Sequence, residues 1–349
     1  RRGRNDADGV DRRLWTEVAE LGWSGILVPE PLGGVDLGHA AAAIIAEECG
    51  RTLAALPFLS TAVTGVTALV RGGSPEQQAR ILPGVAAGTC LLAVAVDERP
   101  RHAPGQIATA AVRNGGGYRL SGRKSFVLDG HAADYLIVSA RLDGPERGGT
   151  GAPALFLLPA TAAGVRMERT SLIDSRGAAE VSLTGVELGP ENRLEDGADG
   201  AALLDSVLDA GRAALAAELV GLARECLRRT LQHLGERRQF GRRIGEFQPL
   251  QHRLAHLSCE IELAASLARA AADACGQSRG NRALLVSAAK AKAAEAATLA
   301  ASEAIQMHGG IGMTDELDIG LFVKRVRCAS ETYGDIGFHR DRVAGLHGF

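Results

Sequence analysis

The hydrophobic period of this chain changes twice, and those changes admit one order of elements: helical, then β, then helical. Over residues 1 to about 90, apolar side chains fall near helical spacing at Leu14, Val18, Leu21 and Trp23. After a break at Gly33–Gly34 the spacing resumes with Ala43, Ile44, Ile45 and Ala46, and Leu59 to Val70 follows Leu56-Pro57. Ser74-Pro75-Glu76-Gln77 reads as a helix start, with Ser74 as N-cap and Gln77 as its capping-box partner. Pro83-Gly84 is expected to end that helix. From about 91 to 192 the apolar runs are short: Leu91–Val96, Ala108–Val112, Tyr118–Leu120, Lys124–Leu128, Tyr135–Val138, Ala154–Leu158, Val165–Glu168 and Val181–Leu183. Gly115-Gly116-Gly117 between two of them predicts a hairpin, and the series predicts a small barrel or sandwich. Beyond about 200 the helical period returns on long Ala-rich segments, through Leu215, Leu219, Leu222, Cys226 and Leu234, then Leu250, Leu254, Leu257 and Ile261. In Asn281–Met307 nearly every small residue is Ala, which suits the centre of a bundle or an oligomer interface. The predicted fold class is α+β multidomain: an N-terminal helical domain (1–90), a central β-barrel or sandwich domain (91–192) and a C-terminal four-helix bundle (193–349).

Composition excludes several functions. With 39 basic and 41 acidic residues and a net charge of −2, the chain has no global basic field for nucleic acid, and 4% aromatics leave few stacking platforms. Charged residues and Gly break every apolar stretch before membrane-spanning length. The start, Arg1 to Arg13, is charged and lacks the apolar run of a signal peptide. The six cysteines form no Cys-x-x-Cys pair, so zinc sites and a disulfide framework are not expected, and a reducing cytoplasm is. No phosphate loop, no Gly-x-Gly-x-x-Gly and no Gly-x-Ser-x-Gly elbow is present. No His has Glu three residues before it, and His252 with His256 reads as polar helix surface, so no metal is expected.

Two stretches carry chemistry. Arg237-Arg238-Gln239-Phe240-Gly241-Arg242-Arg243-Ile244-Gly245-Glu246-Phe247-Gln248 is a basic, Gly-punctuated bend between long helices. Its guanidinium forks suit phosphate, Gly241 permits close backbone approach, and Gln239 and Gln248 can orient a ligand. Gln306-Met307-His308-Gly309-Gly310-Ile311-Gly312 ends a helix with a loop able to wrap a ligand, although such glycines also serve as plain C-caps.

Together, in helix–β–helix order, these stretches resemble the acyl-CoA dehydrogenases. The resemblance extends to Gly25–Gly34, to Glu47-Glu48-Cys49-Gly50 and to Gly122-Arg123-Lys124-Ser125-Phe126-Val127. It implies a flavoprotein that oxidises an acyl-CoA thioester to its 2,3-enoyl product. A carboxylate takes the α-proton, the β-hydride goes to FAD, and an electron-transfer flavoprotein accepts the electrons. It implies an oligomer, dimer or tetramer, homomeric or heteromeric, with FAD at subunit boundaries. Arg237, Gln239, Phe240, Phe247, Gln248, Gln306, Gly309 and Gly310 would reach the pyrophosphate and adenine half of FAD held by a neighbouring chain. Phe126 and Val127 would meet this chain's own flavin, and Asp209 and Arg212 would lie beside the acyl-CoA, with Arg212 near the catalytic loop.

The resemblance breaks at the chemistry. The family's Tyr-Glu-Gly-Thr run reads Tyr333-Gly334-Asp335-Ile336-Gly337, so the Glu is missing and Asp335 lies one position away. The alternative Glu, just before the residue matching Arg212, is Gly211. The usual Thr/Ser-Glu-Pro reads Val96-Asp97-Glu98-Arg99-Pro100, whose Asp97 would oppose an anionic reduced flavin. The usual Trp-Ile/Val-Thr reads Phe126-Val127-Leu128. Groups for the chain's own flavin ring and for proton abstraction are weakened, while groups that reach a neighbour's flavin are intact. That pattern implies a non-catalytic subunit of a heteromeric enzyme, like family members paired as α2β2 on sterol-side-chain or unusual acyl substrates. A homotetramer using Asp335 as base and a flavin-free helical scaffold are the alternatives.

Overall fold

The computed structural model describes residues 9–143, 151–194, 199–276 and 280–349; the charged start over residues 1–8 lies outside them. The chain forms two compact units, residues 1–38 with 55–211 and residues 39–54 with 212–349.

In the first unit, α1 (Arg12–Glu20) is capped by Asp11, whose carboxylate accepts from Leu14 N. Its buried face is Trp15, Val18 and Ala19, one position off the predicted start, and Leu14 is exposed. α2 (Gly38–Thr52) lies almost wholly in the second unit. Pro57 precedes a fully buried π-helical run, Phe58–Gly65, which continues into α3 (Val66–Gly72). α4 (Pro75–Ala86) has the predicted capping box: Ser74 Oγ accepts from Gln77 N, and Gln77 Oε1 accepts from Ser74 N. Pro83 does not end this helix, contrary to expectation. It forfeits one intrahelical bond, but its own carbonyl accepts from Ala87 N at 3.0 Å, so the last turn survives.

The β region holds β1 (Leu92–Ala95), β2 (Ala110–Asn114), β3 (Gly117–Leu128), β4 (Tyr135–Asp143), β5 (Pro153–Pro159), β6 (Val165–Ser171), β7 (Gly177–Leu188) and β8 (Arg193–Leu194). They make one eight-stranded sheet in the order β6-β7-β3-β2-β4-β5-β8, with β1 parallel to the first half of β4. No pairing among the described residues joins β6 to β8. The glycine-flanked hairpin is β2–β3, with Asn114 opposite Gly117. Leu136, Val138 and Ala140 alternate into the core with Leu120, Phe156, Leu158, Val181 and Val186. The β3–β7 register shifts between Lys124 and Val127. This bulge leaves Phe126 at φ 53° and half exposed, while Val127 stays in the core.

α5 (Gly200–Glu236) runs for 37 residues and enters the second unit at Arg212. There the chain continues as β9 (Arg238–Gln239), β10 (Arg242–Arg243), α6 (Gln248–Gly276), α7 (Arg282–His308), α8 (Ile319–Glu331) and α9 (Ile336–Leu346). Where the predicted four-helix bundle leaves one helix after α5, α6 and α7, the chain forms two, because Tyr333 at φ 57° and Gly334 at φ 113° break the path between them. The Ala stripe of α7 is buried inside its own chain: Ala289, Ala293, Ala297, Ala300 and Ala304 are all inaccessible. α7 packs on α6, α8 and α9, so its small residues serve close helix approach within the bundle and not an exposed interface.

Candidate active site and cofactor half-sites

The basic bend is a two-residue hairpin. Gln239 pairs with Arg242 and Arg238 with Arg243, and the turn is Phe240 at φ 54° and Gly241 at φ 79°. Positive φ at both central positions is the type I′ geometry, which a bulky residue such as Phe adopts at a cost of about 1–3 kcal/mol. Phe240 nevertheless stands 89% exposed at the tip, and a Cβ added at Gly241 would meet nothing within 4 Å. Phe240 meets Phe247 edge to face, and the Arg242 guanidinium lies 4.0 Å from the Phe247 ring centre. Arg237, Arg238, Arg242, Arg243, Gln239 and Gln248 are exposed. A strained turn that offers an aromatic ring and four guanidinium groups fits an adenine and a pyrophosphate, because the ring can stack and the forks can take phosphate oxygens.

The second predicted segment ends α7. Gln306 is exposed, and Gly309 (φ 68°) and Gly310 have open space where a side chain would be. Gly312 is different, since a Cβ there would meet Ile305 O at 2.9 Å, so it serves packing. A cradle of bare backbone beside open space again fits FAD.

In the first unit, Ser125 N donates to Asp97 O at 2.7 Å, which ties the Asp97 loop to the strand carrying Phe126 and Val127. Phe126 is half exposed and can touch a cofactor ring, whereas Val127 and Leu128 are buried in the core. Asp97 is not an isolated charge. Both its oxygens lie 2.9 Å from His102 Nδ1, a pairing the sequence reading missed because four residues of loop separate them. Glu98 clamps the loop shut: it accepts from Ala108 N and Thr109 N and takes Lys124 Nζ at 2.7 Å. Burial opposes the Glu98 charge, but Lys124 and Thr109 outweigh it, and its pKa falls below the usual carboxylate range. Burial lowers the pKa of Lys124, partly offset by Glu98.

The family's base position is the α8–α9 loop. Arg212 is buried, its Nε donates to Tyr333 O at 3.1 Å, and its guanidinium lies 5.3 Å from the Phe338 ring centre. Buried Lys290 of α7 donates to Ser330 O at 2.9 Å and Gly334 O at 3.2 Å. Asp335 is the N-cap of α9: Oδ1 accepts from Phe338 N at 2.7 Å. Arg212 thus grips the backbone of the loop that Asp335 closes as a helix cap. Asp209, three residues before Arg212, is fully buried. A Cβ at Gly334 would lie 2.4 Å from Phe338 Cδ1 and 2.9 Å from His339 Nε2.

Lys290 also escaped sequence reading, since a lone Lys in an Ala-rich helix looks like surface. Burial, then Arg212, pushes its ammonium from 10.5 down to about 7, against Glu331, Asp335 and Glu218. The unfolded chain binds more protons between those values, so folding stability should rise with pH from about 7 toward 10.5. Lys290→Met should abolish that rise and be less stable than the parent at the alkaline end, where Lys290 folds without the cost of a buried charge and the variant leaves two buried carbonyls without their donor. Melting temperatures of both proteins across this window check the prediction; parallel curves would refute the buried, depressed ammonium.

Among the described residues, no helix is long and apolar enough to cross a membrane. The cyclohex-1-ene-1-carbonyl-CoA dehydrogenase of Geobacter metallireducens is 32% identical over 303 residues, covering 85% of this chain and 80% of its own. Among solved structures, a variant of the Tcur3481–Tcur3483 steroid ACAD superposes with TM-score 0.89 at 32% identity, covering 99% of this chain and 91% of that one. The ChsE4–ChsE5 complex from Mycobacterium tuberculosis gives TM-score 0.90 at 25% identity, covering 100% of this chain and 91% of that one. The N-terminal, middle and C-terminal domains of acyl-CoA dehydrogenase match residues 2–89, 101–186 and 198–345 respectively. With helical, β and helical regions in that order and these matches along its length, the chain belongs to the acyl-CoA dehydrogenase family, whose members are FAD-dependent oxidoreductases acting on CH–CH bonds.

Proposed function

We propose that this chain is the non-catalytic subunit of a heteromeric acyl-CoA dehydrogenase and completes the FAD site of a neighbouring chain. The observation that carries this reading is Gly334: it stands at the family's base position, at φ 113°, with Phe338 and His339 filling the space a side chain would need. Asp335 is engaged as a helix cap, and Gly211 leaves the other base position bare. The Arg237–Phe247 hairpin and the Gly309–Gly310 loop, by contrast, are exposed and suited to a dinucleotide. Both solved relatives described above are named as pairs of chains, in keeping with a two-component assembly.

FAD supplies the acceptor for the β-hydride of an acyl-CoA. On this reading the chain's own part is electrostatic and positional. Arg237 and its neighbours neutralise pyrophosphate, Phe240 stacks on adenine, and Gln239, Gln248 and Gln306 orient the cofactor. The substrate class is a CoA thioester with a steroid side chain or another bulky acyl group, as the steroid relative suggests. An electron-transfer flavoprotein receives the electrons. No disulfide joins the cysteines among the described residues, in keeping with a cytoplasmic protein.

The test is flavin per chain, measured alone and after mixing with a Glu-bearing family member encoded beside it, together with dye reduction by acyl-CoA. The chain alone should be inert, and the mixture should be active with about half a flavin per chain, the ratio of one site per pair. Asp335→Asn keeps the cap, because Asn is an equally good N-cap, and should leave the mixture's activity unchanged. Activity of the unmixed protein that disappears in Asp335→Asn would establish the self-sufficient Asp335 enzyme instead. No flavin in either preparation would leave the scaffold.

A further inference from the structure

The two segments assigned to FAD in the second unit leave from different helices, and one side-chain contact joins those helix ends. The Arg237 hairpin follows α5, and the Gly309–Gly310 loop follows α7. His233, in the last turn of α5, stacks on His308, the last residue of α7, with ring centroids 4.4 Å apart and planes 25° from parallel. The His308 ring is bonded to the backbone of α7, and the backbone carbonyl of His233 is bonded to the first residue of the hairpin segment. His308 Nδ1 lies 2.7 Å from Ala304 O, and since a carbonyl can only accept, Nδ1 carries the proton. The His233 carbonyl accepts from Arg237 N at 2.9 Å.

The charges around the pair come from every element nearby. Glu236 ends α5 three residues after His233, Arg237 follows it, and Arg229 one turn earlier is tied to Glu225 and to Asp318 before α8. On α7, Glu303 is tied to Arg253 of α6. Glu246 precedes α6, the run Gly309–Met313 has no charged residue, and Asp315 and Glu316 follow it. Burial, then His308 and Arg237, hold the His233 pKa below the usual imidazole range, with Glu236 opposing. A neutral pair stacks without penalty. A doubly protonated pair sets two like charges face to face beside Arg237.

We propose that His233 and His308 are positioning residues for FAD: stacked and neutral, they hold the hairpin and the glycine loop at the spacing that grips the cofactor, and protonation of the pair parts the two segments and releases it. The inference rests on the assignment of Arg237 and Gly309–Gly310 to FAD.

The experiment measures FAD released into ultrafiltrate from the assembled flavoprotein between about pH 5.5 and pH 7.5, for the parent chain, His233→Phe and Arg237→Ala. Retention that needs the uncharged stack falls by up to about 10-fold for each pH unit over which a proton is taken up, so the parent should retain FAD about 10-fold less tightly at the acid end. Phe keeps a stackable ring without the charge. His233→Phe should therefore lose most of the acid sensitivity between pH 7.5 and pH 5.5, with an unchanged melting temperature confirming the fold. Equal acid sensitivity in parent and His233→Phe overturns the inference, as does a parent whose FAD retention ignores pH. If Arg237→Ala retains FAD as the parent does, the cofactor assignment itself falls; if it loses FAD while His233→Phe stays acid-sensitive, only the role of the pair is lost.

Discussion

Gly334→Glu, which would restore the carboxylate at the family's base position, is expected to produce no dehydrogenase activity and to destabilise the chain. The position has φ 113°, a region that side-chain-bearing residues rarely enter. An added Cβ would stand 2.4 Å from the Phe338 ring and 2.9 Å from His339 Nε2, so that ring or the loop must move. The loop cannot yield freely, because Arg212 holds Tyr333 O and Lys290 holds Gly334 O and Ser330 O. Backbone strain and overpacking together cost about 2–6 kcal/mol, which a urea midpoint would show. A Gly334→Glu chain that unfolds like the parent and reduces dye with an acyl-CoA would mean that this loop can present a base, and the non-catalytic reading would fail.

The second large effect is expected from Arg237→Ala. The guanidinium is exposed, while the backbone of Arg237 bonds within its own hairpin, donating to His233 O and accepting from Ile244 N. Truncating the side chain therefore leaves the fold intact. On the proposed assignment it removes a charge-assisted contact to pyrophosphate worth about 1.5–3 kcal/mol, a loss of roughly 10- to 150-fold in FAD affinity. Flavin content of the assembled complex after dilution measures it directly. Unchanged flavin in a correctly assembled oligomer would remove this bend from the cofactor site.

Much of the proposed site lies on continuous stretches of chain, which is why its local structure was legible. The hairpin needs only Gln239-Phe240-Gly241-Arg242 to turn, and the α7 loop needs only its glycines. The residues that escaped notice are those whose partners lie far away or across a loop. Lys290 finds its carbonyls 40 and 44 residues on, and Lys124 finds Glu98 26 residues back. Periodicity reports which face of an element is apolar and carries no signal for such pairs. The charge on Asp97 was read as a clash with reduced flavin because its His102 partner was not visible in the one-dimensional pattern.

Local propensity therefore determined the helix–β–helix order, the Ser74 capping box, the β2–β3 hairpin and the basic turn, since each depends on neighbours a few residues apart. Tertiary structure alone decided where the Ala stripe of α7 goes. Small side chains permit close approach to any helix, and only the packing of α6, α8 and α9 shows that the chain itself supplies those neighbours. It also decided the character of Asp335. A carboxylate near the base position is chemically able to take a proton, but the break at Tyr333–Gly334 starts α9 at that residue and commits its oxygen to the Phe338 N–H. A helix N-terminus leaves its first amides unpartnered, and that three-dimensional demand, absent from residue order, makes Asp335 a cap.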